Sequence, residues 1–109
     1  MRPVKPAAFH ILLGLLDGEA HGYALLQSAR AHAPGERPLS TASFYRHLHK
    51  LLDEGLVEAI ARPAADDPRR GDYYRLTPAG RQVLVDEKAR LTALMSALAG
   101  VQPATRRSR

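Results

Sequence analysis

The 109-residue chain contains no cysteine, which excludes both a disulfide framework and a thiolate metal site. Its five histidines never fall into an HExxH or other ligand spacing. His47 and His49, two residues apart, would point to different sides of a helix. There is no GxSxG nucleophile turn and no phosphate-binding loop, and Leu13-Gly14-Leu15 reads as core rather than as a dinucleotide turn. Long apolar runs are missing too. The longest, Phe9 to Leu16, is interrupted by His10 and Gly14 and stays far below the ~18 residues of a membrane span. Arg2 and Lys5 give this run a faint look of a signal peptide, but Asp17, Glu19 and His21 follow where a small-residue cleavage site would lie. It is therefore read as a helix of the mature protein. These absences lead us to expect no catalytic residue, no metal, no cofactor, no membrane partner and a cytoplasmic location.

What is present is a basic chain of ordinary globular composition. Hydrophobic residues make up 45% and charged residues 25%, and sixteen Lys and Arg against eleven Asp and Glu give a formal net charge of +5. One modest core fits this length. A basic domain favours a polyanionic partner, because displacing counterions from phosphates drives association whatever the base sequence. A basic surface can also serve solubility alone, so the charges have to be placed on elements.

Met1 to Lys5 form a short basic arm, and Pro6 suits the first turn of a helix, where its missing N–H would be unbonded anyway. Phe9, Leu12, Leu13 and Leu16 recur at i, i+3, i+4 and i+7, one buried face of a first helix that Asp17-Gly18 ends. A second helix is expected from about His21 to His32, with Leu25, Leu26 and Ala29 inward; Ala33 to Pro38, with two prolines and a glycine, breaks it. Ser40 or Thr41 then caps a third helix reaching Glu54, with Gly55 as its C′ residue. Its inner face is Phe44, Leu48, Leu51 and Leu52. At about 100° per residue, the opposite face carries Ala42, Ser43, Arg46, His49 and Lys50. Small, hydroxyl and cationic side chains opposite a greasy face are what a groove-reading helix needs.

Two strand-like runs follow, Leu56 to Ala61 and Asp72 to Leu76, on either side of a polar tip from Arg62 to Gly71 that is too long for a tight hairpin. Thr77 is the N-cap and Pro78 the first residue of a fourth helix extending to about Ala99. Leu84, Leu91 and Leu98 repeat every seven residues, and Leu94, Met95 and Val101 fill neighbouring rows. A stripe this regular needs something to lie against, and in a short chain a second copy is the natural partner. Gly100 and Pro103 stop the helix, and 105–109 reads as a disordered basic tail.

Three helices, a β-hairpin and a last helix make a mainly α fold: a winged helix-turn-helix with a C-terminal dimerisation helix. The expected division is 1–77 for DNA binding, 78–100 for dimerisation and 101–109 for the tail. Ile11-Leu-Leu-Gly-Leu-Leu16 and His21-Gly-Tyr-Ala-Leu-Leu26 resemble the opening of PadR-family regulators. So do Leu39-Ser-Thr-Ala-Ser-Phe-Tyr45, Asp53-Glu-Gly-Leu-Val57 and Tyr73-Tyr-Arg-Leu-Thr-Pro-Ala-Gly80. The resemblance covers roughly residues 8 to 95. It implies a homodimer that binds an inverted-repeat operator, usually as a repressor. Some relatives sense flat small molecules on a tryptophan at the dimer interface. This chain has none, so an effector would have to meet Leu, Met95 or aromatic side chains between the helices.

The residues themselves point to double-stranded DNA. Ser40, Thr41 and Ser43 at the helix start suit phosphates, Arg46 a guanine edge, and His49 and Lys50 the backbone or groove wall. For Arg46 and Lys50 the alternative is a solvated face. Tyr45, on the flank, either packs on the first helix or offers its hydroxyl to a phosphate. His21 and Tyr23 either touch DNA backbone or serve as an N-terminal cap and a core aromatic. In the wing, Arg62 stands at one base and Arg69 and Arg70 at the other. Asp66 and Asp67 at the tip would repel phosphate, so the arginines beside the second strand are expected to reach DNA. Arg75 is expected to be solvated. Leu84, Leu91, Leu94, Met95 and Leu98 are the expected dimer contacts. The competing class is a winged-helix protein-interaction module that does not bind DNA; it predicts an acidic or apolar outer face on the third helix.

Overall fold

The computed structural model describes residues 5–31, 39–66 and 71–104. Helix α1 spans Pro6–Gly14, with Pro6 in its first turn and Lys5 as the N-cap residue. It is shorter than its apolar pattern. Leu15 and Leu16 donate backbone hydrogen bonds three residues back, to Leu12 and Leu13, and this tightened turn leads to Gly18, whose φ of 138° suits a glycine.

Helix α2, Gly22–Ala31, and helix α3, Thr41–Asp53, form the helix-turn-helix. The Arg30 Nε donates to the Leu39 carbonyl at 2.9 Å, tying the end of α2 to the approach to α3. The expected break at 33–38 lies outside the described residues. Ser40 caps α3 by accepting from the Ser43 N–H at 3.1 Å. At the other end Gly55, at φ 76°, closes the helix: its N–H reaches the Leu52 carbonyl and the Leu56 N–H reaches that of Leu51. This paired 5→2 and 6→1 bonding is a Schellman motif, and its left-handed residue is best filled by glycine.

One correction concerns the sheet. A two-stranded hairpin was expected, but three strands form: β1, Ala20–His21; β2, Val57–Ile60; and β3, Tyr73–Leu76, in the order β1-β3-β2. All pairings are antiparallel, with Ala20 opposite Tyr74, His21 opposite Tyr73, and Val57 opposite Leu76. β1 is only two residues long and exists because β3 offers a free edge, a long-range pairing that local pattern does not encode. His21 therefore belongs to a strand, and α2 begins one residue later.

The core is one cluster in which Ile11, Leu12 and Leu15 of α1 and its turn meet Leu25, Leu26 and Ala29 of α2 and Phe44, Leu48 and Leu51 of α3, with Val57 and Leu84 closing it. Helix α4, Pro78–Leu98, starts on Thr77. The Thr77 hydroxyl donates to the Gly55 carbonyl at 2.6 Å and accepts from the Gly80 N–H at 3.0 Å, while the Thr77 N–H bonds the Leu56 carbonyl at 3.2 Å. A Cβ added to Gly80 would lie 2.0 Å from the Leu56 carbonyl oxygen. Glycine is thus required there by close backbone approach and not by turn geometry.

Because that oxygen is already held by Thr77, it cannot retreat. Gly80→Ala should lower the stability read by urea unfolding by about 1–3 kcal/mol, the cost typical of forced overpacking. Gly100→Ala, where an added Cβ meets nothing within 4 Å, should leave the midpoint near that of the parent.

Candidate nucleic-acid interface

Helix α3 carries its two faces as the sequence implied. Phe44, Leu48 and Leu51 are buried, while Ser40, Thr41, Ala42, Arg46, His49 and Lys50 are exposed and Ser43 is half-buried. The Arg46 Nη2 donates to the Ser43 Oγ at 3.2 Å, which holds the guanidinium along the helix with its remaining donors outward. His47 is a neighbour of the candidate site that sequence reading left out. It follows Ser43 by four and precedes Lys50 by three, so Ser43, His47 and Lys50 share one side of the helix, while Arg46 lies about 100° away from His47. That spacing was the available signal. His47 is half-buried, and burial first, then the charges of Arg46, Lys5 and Lys50, hold its imidazole below the ordinary histidine value.

Tyr45 lies half-buried on the flank, edge-on to Phe44 with ring centroids 4.9 Å apart. Its hydroxyl oxygen would be 2.9 Å from a Cβ added at Gly22, so it packs on the start of α2 rather than on α1. Burial, and then Tyr45 and Asp72 nearby, raise the pKa of Tyr74. His21 takes the capping alternative: its Nδ1 accepts from the Ala24 N–H at 3.3 Å, and its ring meets Tyr73 edge-on at 5.6 Å. Tyr23 does not take the core alternative. At 65% exposure it projects from the first turn of α2, because Leu25, Leu26 and Ala29 already occupy the inward face.

In the wing, the Arg62 Nη1 donates to the carbonyls of Pro63 at 3.3 Å and Asp66 at 3.1 Å, and the Tyr73 hydroxyl donates to the Asp66 carboxylate at 2.5 Å. Arg62 is thus engaged in shaping the tip. Arg69, Arg70 and Asp67 lie outside the described residues. Arg75 is a further correction. Rather than being merely solvated, its Nε donates to Glu58 at 2.6 Å, the residue directly opposite it on β2.

The expected dimer face divides. Leu91, Leu94, Met95, Leu98 and Val101 are exposed, Met95 at 68%, and every residue from Lys88 to Ala104 is exposed. Leu84 departs from the set: it is 8% exposed and belongs to the chain's own core. Between α1 and α4 runs a groove of ≈ 510 Å³, with Phe9, Leu13 and Leu16 on one wall and Val85, Leu91 and Met95 on the other; Arg81 and Lys88 also line it. Glu87, three residues after Leu84 and four before Leu91, falls in the same stripe. It is 5% exposed and accepts both bonds of a forked pair from Arg90, the Nε at 3.0 Å and the Nη2. Arg90 holds the Glu87 carboxyl below its usual value against the opposing effect of burial.

A helix-turn-helix whose second helix turns a cationic, hydroxyl-bearing face outward beside a small sheet is a winged helix-turn-helix. The family model of the Transcriptional regulator PadR-like family matches residues 11–86. The chain belongs to this family of transcriptional regulators and is not an enzyme. It is 36% identical over 107 residues to the transcriptional regulator Rv3488 of Mycobacterium tuberculosis, across 96% of this chain and 95% of the relative. Among solved structures, a PadR family transcription regulator from Clostridium difficile is similar with a TM-score of 0.69, 18% identity, and coverage of 88% of this chain and 100% of that one. Bacillus subtilis PadR in complex with operator DNA is similar with a TM-score of 0.63, 23% identity, and coverage of 96% of this chain and 53% of that one. At those identities the likeness is one of fold. Among the described residues no helix is long and apolar enough to cross a membrane.

The depressed pKa of His47 has a sign that can be checked. The unfolded chain takes the proton more readily, so this contribution to stability is complete above the ordinary value of 6.5 and is lost as pH falls through the lower folded value. The fall in urea midpoint between about pH 7.5 and about pH 5 should therefore be smaller in His47→Gln than in the parent. An equal fall in both would show that His47 titrates as freely in the folded chain as in the unfolded one.

Proposed function

We propose that the chain is a sequence-specific DNA-binding regulator that acts as a homodimer on an inverted-repeat operator, as a repressor, in the cytoplasm. The observation that carries this reading is the outer face of α3, where Ser40, Thr41 and Ser43 precede Arg46, His49 and Lys50 with no carboxylate before Asp53. A protein-interaction module would present an acidic or apolar face there. The similar fold of Bacillus subtilis PadR, whose structure holds operator DNA, supports the same reading. In this picture the hydroxyls at the start of α3 bond phosphates, Arg46 reads a base edge in the major groove, and Lys50 and His49 contact the flanking backbone. Tyr45, packed against α2, presents only its outer edge. Arg62 sets the wing tip, leaving phosphate contact in the wing to Arg69 and Arg70.

Residues 1–77 form the DNA-binding unit of this proposal and residues 78–100 the dimerisation helix. A stripe of Leu91, Leu94, Met95, Leu98 and Val101 left in water is costly, and the fitting occupant is the same helix of a second copy, with its apolar end in the groove between α1 and α4. A two-fold pairing of this kind presents two α3 helices to successive turns of one face of the duplex. A small apolar effector would have to share that groove with the partner helix, beside Leu13, Leu91 and Met95.

Light scattering at tens of micromolar should give a dimer mass, and changing Leu91 and Leu98 together to Glu should give a monomer with much weaker DNA binding, since one half-site alone binds weakly. A monomeric parent would overturn the dimer. On operator duplex, Arg46→Ala should cost about 1–3 kcal/mol and relax the preference at one base pair per half-site. Equal losses on operator and scrambled duplex would make Arg46 a phosphate clamp instead.

A further inference from the structure

We propose that Ser40 is a phosphorylation site, and that a phosphate there closes the DNA-binding face while leaving the helix behind it folded. The inference rests on the DNA-binding reading above and adds to it a covalent control of the same face. Three observations place the site. The Ser40 side chain is exposed. Its backbone is extended, at φ −71° and ψ 155°, immediately before Thr41, the first residue of α3. Arg37 stands three residues before it, and Ser40 is the one serine or threonine of the chain with Lys or Arg at that spacing. A protein kinase takes its substrate as an extended segment, with the hydroxyl held at the γ-phosphate of ATP. A kinase with carboxylates beside that cleft selects an arginine at this distance through charge-assisted hydrogen bonds. Thr41 and Ser43 fit less well. Both lie within the helix, Pro38 and Ser40 stand where the arginine would have to be, and the Ser43 Oγ already accepts from Arg46.

In the transfer, the Ser40 Oγ bonds the γ-phosphorus of ATP as the bond to the β-phosphate oxygen breaks. ADP leaves, and the hydroxyl proton passes to a kinase carboxylate and on to solvent. In the unmodified chain the Ser40 Oγ caps α3 by accepting from the Ser43 N–H at 3.1 Å. A phosphoserine brings about −1.5 to −2 charges and three acceptor oxygens. The first-turn N–H groups of α3 have no carbonyl to bond within the helix, so the phosphate oxygens take over the cap and add a favourable charge at the positive end. A duplex meets the opposite sign. No carboxylate precedes Asp53 on α3, and the new charge stands among Ser40, Thr41 and Ser43, the hydroxyls assigned to DNA phosphates. Folding and binding thus respond to one modification in opposite directions.

The test incubates the full chain with ATP and the catalytic subunit of cyclic-AMP-dependent protein kinase, which selects arginine at that spacing. Peptide mass spectra should place a phosphate on Ser40, and Arg37→Ala should slow its incorporation by about tenfold, as loss of a charged hydrogen bond implies. The phosphorylated chain should unfold in urea at or above the parent midpoint. It should bind operator duplex on the order of a hundredfold more weakly, because like charges are set together, and the deficit should shrink as salt rises. Ser40→Asp and Ser40→Asn, both good helix caps, separate charge from shape. Ser40→Asp should bind about tenfold more weakly than Ser40→Asn. Phosphate on other residues alone, or on none, overturns the site. Operator binding that a phosphate on Ser40 leaves unchanged, or a midpoint that falls with it, overturns the switch. Failure of the unmodified chain to bind any duplex at low salt overturns the reading beneath, and the inference with it.

Discussion

The fold depends on how α4 is seated at the end of α3. One threonine hydroxyl, that of Thr77, donates to the Gly55 carbonyl and accepts from the Gly80 N–H, while the Leu56 carbonyl lies against the bare Cα of Gly80. Three requirements coincide there. Gly55 must be left-handed to end α3, Thr77 must cap α4, and Gly80 must carry no side chain. The direction of α4 is therefore set against α3 by backbone contacts, not by adaptable side-chain packing. In the proposed dimer this junction fixes the separation of the two α3 helices, and with it the half-site spacing.

Helix α3 also shows how one element can serve the core and, in the proposed function, binding without compromise. Phe44, Leu48 and Leu51 are anchored in the core, which leaves Arg46 and Lys50 free of intramolecular ion pairs among the described residues. Three carboxylates elsewhere have partners: Glu58 with Arg75 across the sheet, Glu87 with Arg90 on α4, and Asp66 with Tyr73 in the wing. Arg46 and Lys50 thereby leave unpaired positive charge on the outer face of α3.

The helices were legible because each leaves a 3.6-residue record: Phe44, Leu48 and Leu51 inward, Arg46 outward, Ser40 and Thr77 at the starts, Gly55 at a finish. The winged helix-turn-helix followed from their order. What escaped was non-local. β1 is two residues, Ala20 and His21, too short for alternation, and only the edge of β3 makes it a strand. Tyr23 carries an aromatic ring at the start of a helix whose inward face was already filled, a fact of packing rather than of pattern. Leu84 belongs to the same heptad as Leu91 and Leu98, and nothing in the repeat marks which of the three the chain's own core takes. Glu87 and His47 sat in spacings that the apolar and cationic lines already defined, masked by being the wrong residue type for each line.

The pairing of β1 with β3 has a mechanical meaning. The strand leads directly into α2, and β3 is the inner strand of the wing, so the wing is stapled to the reading head at its root. In the proposed function, this pairing would make the angle between the sheet and α2 part of what a duplex has to match.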